Sequence, residues 1–279
     1  MRPRTKVADR RVRPSAIAIS GLLGLIALLA MAPLLWMLSG SFKGPADVYQ
    51  PNLVPAAPTL DNYRYVLTQI AFPRNMLNSL IVAVTVTVAA LLFHSMAGYA
   101  LARLRFPGRN VIFFLIYATL LVSLPVILVP LYILVRALGM VDSFAGLIVP
   151  AIFNAFGIFL LRQFFLGLPR ELEEAAALDA CGYWRIYWHI AVPLARPILA
   201  ALAVFFFLYN WNSFLWPLTI TNTQGLWVIQ LAIAGFHAEH GAAWNYITAA
   251  STLAAAPTML LFFVFQKQIV SSLKSTGMK

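Results

Sequence analysis

The sequence predicts an all-α integral membrane protein: six transmembrane helices with both chain ends on the cytoplasmic side. Three observations lead there. Of the 279 residues, 61% are hydrophobic and only 10% charged, more apolar surface than a soluble domain can hide from water. The apolar residues gather into six runs, each close to the ~20-residue helix that crosses a ~30 Å hydrocarbon core. The basic residues fall almost wholly on alternate connections between those runs, the bias that orients a chain in a membrane.

The first span covers 16–38 and follows a basic tail, 1–15, holding Arg2, Arg4, Lys6, Arg10, Arg11 and Arg13. Tail, apolar run and Ala30-Met-Ala32 together imitate a secretory signal with its cleavage site. The run is long for a signal and continues through Pro33 to Leu38, so it is read as a retained first helix. Residues 39–72 are polar and carry Pro45, Pro51, Pro55 and Pro58. Each proline removes a backbone donor and disfavours helix just before it, so a connection without helix is expected. Span two covers 75–101, and the turn 102–110 holds three arginines and no acid. Span three, 111–134, carries Pro125 and Pro130; span four is 144–161. A polar interval, 162–197, follows, and then span five, 198–220. A mixed loop, 221–244, leads to span six, 245–265, and a polar tail, 266–279. The six spans form one transmembrane domain, 16–265, between two tails.

With the N-terminus inside, sixteen of the 20 basic residues lie on inner segments, and only Lys43, Arg64, Arg74 and Arg136 lie outside. The acids divide five inside and four outside, so the inner segments carry the whole net charge of +11. The basic balance is therefore a topology signal and requires no nucleic-acid partner. A single cysteine, Cys181, excludes a disulfide within the chain.

The polar interval holds four of the nine acids. Pro169 suits the first turn of a helix, where a missing N–H is no loss. Glu171, Glu173 and Glu174 sit near the positive end of that helix dipole. Ala175, Ala176, Ala177 and Ala180 keep its sides thin, so a partner can approach the backbone closely. A second short helix is expected after Gly182, through Tyr183 to Ile190, hinged by Pro193 and Pro197 to span five. On these residues alone, a loop that meets a soluble protein and an amphipathic loop lying on the inner membrane face are equally admissible.

The same segment resembles the EAA loop of binding-protein-dependent ABC importer permeases: Glu-Ala-Ala, three residues, Gly, nine residues, Ile-x-Leu-Pro. Glu174-Ala175-Ala176 and Ile190-Ala-Val-Pro193 match, with Val192 for leucine. Ala180 stands at the glycine position and the nearest glycine is Gly182, so the sequence leaves the shape of that turn open. Further pieces resemble the sugar-importing, maltose-type branch. They are Ser41-Phe-Lys43, Thr59-Leu-Asp-Asn-Tyr63, Asn78-Ser79, Ala97-Gly-Tyr-Ala-Leu-Ala-Arg103, Phe106-Pro-Gly-Arg109, Gly157-Ile-Phe-Leu-Leu-Arg-Gln163 and Trp211-Asn-Ser-Phe-Leu-Trp-Pro217. The tail Ser272-Leu-Lys-Ser-Thr-Gly-Met-Lys279 matches more weakly. The resemblance implies a sugar-importing permease subunit in the cytoplasmic (inner) membrane, with a cytoplasmic coupling helix in the loop between helices 4 and 5. It implies four kinds of partner: a second permease, two cytoplasmic ATPase subunits, an extracytoplasmic solute-binding protein and the lipid bilayer. No Gly-x-x-x-x-Gly-Lys-[Ser/Thr] phosphate loop occurs in the sequence, so no cofactor is expected on this chain. ATP and Mg belong to the partner ATPase, and the chain is not itself an enzyme. ATPase closure would pull the loop, and rocking of the spans would open the cavity to the other side. Glu174 is the residue expected to pair with a basic group on the ATPase, since a desolvated carboxylate stays charged only if paired. Glu173 and Asp179 support it, Ala175 and Ala176 supply fit, and Gly182 belongs to the turn.

Tyr209, Asn210, Trp211, Asn212 and Trp216 in span five combine amides with aromatics, a chemistry suited to sugar hydroxyls and apolar sugar faces, and are the substrate-path candidates. Helix–helix hydrogen bonding plus an interfacial aromatic belt is the alternative. His94 is expected to be a packed structural histidine. His237-Ala-Glu-His240 imitates a metal site but lacks a third ligand and the helical His-Glu-x-x-His spacing; no metal is expected. Two other classes compete. An autonomous secondary transporter or channel would carry membrane carboxylates, yet none of the nine acids lies in an expected span. A membrane enzyme built on His237, Glu239 and His240 would act without ATP or partners.

Overall fold

The computed structural model describes residues 14–240 and 243–276. The expected N-terminal tail falls mostly outside them; of the expected C-terminal tail only 277–279 do, the last helix running on to Thr276, while the side chains of Lys267 and Lys274 and those of the candidate metal trio His237, Glu239 and His240 lie outside them. Among the described residues every regular element is a helix. Four helical segments are long and apolar enough to cross a membrane, and the number rises to six if each of two sharply bent pairs is one span.

Helix α1 (Pro14–Ser41) is apolar all round, and none of its most apolar stretch is buried by the rest of the chain. It touches the bundle mainly along α14 (Trp244–Thr276). Helix α3 (Phe72–Arg103) is the central post: it starts on Pro73, a residue tolerated in a first turn. It packs against α6 (Phe144–Ile152), α7 (Ala155–Leu166) and α11 (Arg196–Trp211). Gly98 lets α7 come close, for a Cβ there would lie 2.9 Å from Leu161 Cβ. Helix α3 ends before Phe106-Pro107, where the chain turns extended at Leu104. Gly108, at φ 77°, starts α4 (Arg109–Ala118).

Three of the expected spans are interrupted. Span three divides into α4, continued by a 3-10 turn to Leu121, and α5 (Leu124–Ala137), with a 109° bend between them. Extended residues Val122 and Ser123 precede Pro125, which sits in the first turn of the new helix. Span four is interrupted at Phe153 and Asn154, between α6 and α7, and the Asn154 side chain caps α7 by accepting from Phe156 N at 2.8 Å. Pro150 has no N–H to give the carbonyl one turn back, Gly146 O. That oxygen instead accepts from Trp216 Nε1 at 3.0 Å. Span five divides into α11 and α12 (Leu215–Ile220).

Two connections expected to lack helix contain one. Helix α2 (Asp61–Thr68) buries Asn62 and Val66 on one face. Helix α13 (Ile229–His240) packs on α3 and α14. It is too short to cross a bilayer but apolar enough to be buried. Ser79 Oγ accepts from Ile229 N at 2.6 Å, and Asn78 donates to Gly225 O and Trp227 O at 3.0 Å. The end of the bundle that carries α2 is closed by buried polar contacts. Asn62 donates to Ser41 O and Lys43 O at 2.9 and 2.8 Å and accepts from Asn245 at 2.7 Å. The Lys43 ammonium is itself buried, donating to Gln50 O and to the Asn52 carbonyl and side chain.

Candidate functional site

Two features carry chemistry, one at each level of the bundle. The first is the polar interval. Helix α8 (Glu171–Leu178) stands at the end where α3 and α7 finish, and Arg103 from the last turn of α3 fastens it there. Arg103 donates to Leu168 O and lies 3.1 Å from a Glu173 carboxylate oxygen, with side-chain exposures of 6% and 20%. Neither facing atom, Arg103 Nε nor Glu173 Oε1, completes an aligned hydrogen bond, so the pair is a charge contact. Burial pushes the Glu173 carboxyl above its ordinary range, against the opposing pull of Arg103 and then Arg170.

Beneath α8 lies a packed aromatic base. Tyr99, Phe165 and Tyr187 form a ring cluster with centroids 5.3 to 5.5 Å apart, and Tyr187 shares a 2.7 Å hydroxyl bond with Ser95. The Arg162 guanidinium lies 3.8 Å over Phe113. Past the turn come a short helix, α9 (Tyr183–Ile186), a π-helical stretch (Tyr187–Ala191) and α10 (Val192–Leu194). The chain then bends 75° into α11. The π turn ends just before Pro193, whose missing N–H breaks the α ladder at that point.

The two glutamates of the loop border one hollow but differ in burial. Glu173 is turned inward onto Arg103, whereas Glu174, Ala175 and Asp179 are exposed, with Ala176 half-buried against the base. Leu178 is 89% exposed, an apolar tip that sequence reading passed over. Ala180 resolves the open question of the turn. It adopts φ 56°, with Cys181 N donating to Ala176 O and Ala180 N to Ala177 O, each at 3.0 Å. That is the left-handed closure helices favour at their ends, normally with glycine. Gly182 lies in ordinary extended backbone at φ −71° and does not use its freedom.

The second feature is a cavity of about 410 Å³ at the three interruptions. Thr119, Val122 and Ser123 reach it from the α4–α5 break, Phe153 and Asn154 from the α6–α7 break, and Asn210 and Ser213 from the end of α11. Irregular backbone at membrane depth is tolerated where it lines such a cavity. No charged side chain borders it among the described residues. Of the five path candidates, Tyr209, Asn210 and Trp216 line it. Trp211 and Asn212 do not: Trp211 is buried on α14 with Nε1 donating to Ala254 O at 3.1 Å, and Asn212 accepts from Gln230 on α13 at 3.2 Å. A full helical turn spreads these neighbours around α11, so only part of the set can face one cavity. His94 is buried, and its Nε2 accepts from Asn154 N at 3.2 Å. It thereby holds the α6–α7 break in place.

A model of the binding-protein-dependent transport system inner membrane components matches residues 94–275. The chain is 33% identical over 259 residues to the arabinooligosaccharides transport system permease protein AraQ of Halalkalibacterium halodurans, covering 91% of this chain and 93% of that one. It is also 33% identical to the diacetylchitobiose uptake system permease protein NgcG of Streptomyces coelicolor, covering 95% and 88%. Among solved structures, a bacterial ABC transporter involved in the import of the acidic polysaccharide alginate has a similar chain. The TM-score is 0.81 at 25% identity, over 95% of this chain and 99% of that one.

Proposed function

The chain belongs to the family of binding-protein-dependent transport system inner membrane components, and on that premise we propose that it is the permease subunit of an ATP-driven importer of a sugar or sugar-like solute. The family is one of inner-membrane proteins, and the apolar helices suit a multi-pass chain. The observation that carries the driving half of the proposal is the face of α8: Glu174, Ala175 and Leu178 exposed on a helix that Arg103 and the Tyr99–Phe165–Tyr187 cluster hold rigidly from behind. A thin, acidic, firmly seated helix passes on a push from a partner without absorbing it. A separate pair of ATPase subunits, which hold the ATP and Mg, would grip this face, with Glu174 paired to a basic group.

The rest of the assignment follows from the same premise. The loop 162–197 and both tails, 1–15 and 266–279, face the cytoplasm, by the distribution of basic residues. The domain 16–265 pairs with a second permease around the solute path and receives solute from an extracytoplasmic binding protein. Alternating access turns on rocking of the interrupted helices around the cavity. Support for a hydroxyl-bearing cargo comes from the cavity wall: amide, hydroxyl and aromatic groups from Asn154, Ser123, Ser213, Tyr209 and Asn210. Glu174→Arg is expected to abolish solute uptake and co-purification of the ATPase while leaving membrane insertion intact. Normal uptake by that variant would sink the coupling assignment.

A further inference from the structure

Two hollows outside the solute cavity meet at the end of the bundle that carries α8. One, of about 690 Å³, lies between the end of α3, the 104–108 turn and α8, and Arg103, Arg105, Arg109 and Arg170 all border it. Glu173 and Glu174 face the same space, and Glu173 is taken by Arg103. Arg109 gives one N–H to Leu104 O at 3.0 Å. The guanidinium groups of Arg105 and Arg170 have no hydrogen bond or ion pair among the described residues, although Arg170 is near enough to pull on Glu173. Four cations against two anions leave the chamber positive.

The second hollow, a groove of about 550 Å³, runs along Met96, Ala97, Ala100 and Trp184, with no charged side chain on its wall. Tyr99 and Tyr183 line both hollows, so the two adjoin. Tyr183 and Trp184 are 69% and 63% exposed, the kind of aromatic pair that settles at headgroup level in a bilayer.

We propose that the two hollows form one site for a phospholipid with an anionic headgroup, the phosphate in the arginine chamber and an acyl chain along the Met96–Trp184 groove. A free phosphate would use only the chamber, and a zwitterionic lipid would gain little from the excess arginines. Their juxtaposition selects an amphiphile that is anionic at one end. Because α8 borders the chamber, the bound lipid braces the same helix that carries Glu174.

The chain, purified in a neutral detergent with whatever subunits accompany it, is titrated with phosphatidylglycerol or with phosphatidylcholine of the same acyl chains. Bound lipid is counted by native mass spectrometry. Phosphatidylglycerol should be retained and phosphatidylcholine should not. Arg105→Gln combined with Arg170→Gln should weaken phosphatidylglycerol binding on the order of thirtyfold, and Trp184→Ala should also weaken it. Should the double variant elute abnormally, Arg105→Gln alone must give a loss of about fivefold. Glycerol phosphate, the headgroup without chains, should fail to displace the lipid at equal concentration. Equal retention of both lipids, undiminished binding by the arginine variants, or displacement by glycerol phosphate or inorganic phosphate overturns the proposal.

Discussion

Replacing Ala180 with glycine should tighten the loop that carries Glu174. Ala180 sits at φ 56°, where an L side chain crowds the following carbonyl at about 1–2 kcal/mol. The surrounding bonds leave it no choice: Cys181 N to Ala176 O and Ala180 N to Ala177 O close the end of α8 only with a left-handed residue there. Glycine removes the crowding but gives the unfolded chain about 0.5–1 kcal/mol of extra freedom. The net gain is therefore about 0.5–1 kcal/mol, or roughly two- to fivefold slower opening of the turn. Hydrogen–deuterium exchange of the Cys181 amide in the detergent-purified protein measures that opening directly. Ala180→Val should move it the other way, because a branched side chain is a true outlier in that region. Gly182→Ala should be neutral or stabilise by about 0.4–1 kcal/mol, since Gly182 is at φ −71° with open space around it. A Cys181 amide that exchanges as fast in Ala180→Gly as in the parent would refute the strain reasoning.

Other variants probe the anchor and the cavity. Arg103→Met leaves the Glu173 carboxyl unpaired in a site where the two side chains are 6% and 20% exposed; it should destabilise by about 3 kcal/mol, read as a lowered melting temperature. Most of that loss should return in Arg103→Met with Glu173→Leu. Because the folded Glu173 carboxyl lies above its ordinary 4.5, the folded loop holds its proton more tightly than the unfolded chain does. Its contribution is thus full below pH 4.5 and is lost as pH rises through the folded value. The melting temperature should fall across that window, and more steeply in Arg103→Met, where the opposing pull of the guanidinium is gone. Tyr209→Ala removes an exposed aromatic face from the cavity wall and should raise the half-saturating solute concentration about five- to tenfold. Trp211→Phe, buried on α14, should leave that concentration unchanged while losing about 1 kcal/mol of stability.

Long-range features of this chain were legible where a single residue property repeats over a long run. The apolar length of α1 and α3 and the acid-and-alanine make-up of α8 are of that kind. The interruptions were not legible, although their prolines were in view. Pro125 reads equally well as a kink inside a span or as a boundary between helices, and Pro150 in span four went unread. The choice is made by distant partners, such as Trp216 taking the Gly146 carbonyl that Pro150 leaves free. Helix α13 escaped because a twelve-residue stretch that mixes apolar positions with Gln230, His237, Glu239 and His240 does not announce its state; Ser79 and Asn78, some 150 residues away, hold its start. Tyr209, Asn210 and Trp216, singled out for their chemistry, line the cavity, but Thr119, Ser123 and Asn154 look like ordinary span residues until the breaks bring them together. Glu173 and Glu174 are neighbours with one composition and two fates, and only the position of Arg103 tells them apart.

The Asn62–Asn245 bond joins residues 183 positions apart, and that distance is also a delay. At about 5–20 residues per second of synthesis, Asn62 waits roughly 10–40 s for its partner to be made. During that interval the Asn62 amide can already hold the Ser41 and Lys43 carbonyls, but its own side-chain oxygen lacks its donor and α1 lacks the helix it packs on. Only the arrival of α14 supplies both the missing amide and the neighbour along which α1 lies. The first helix to enter the membrane is thus among the last to find its place. A ribosome that stalls before residue 245 leaves behind a bundle in which the Asn62 side-chain oxygen has no donor and α1 has no α14 to lie along.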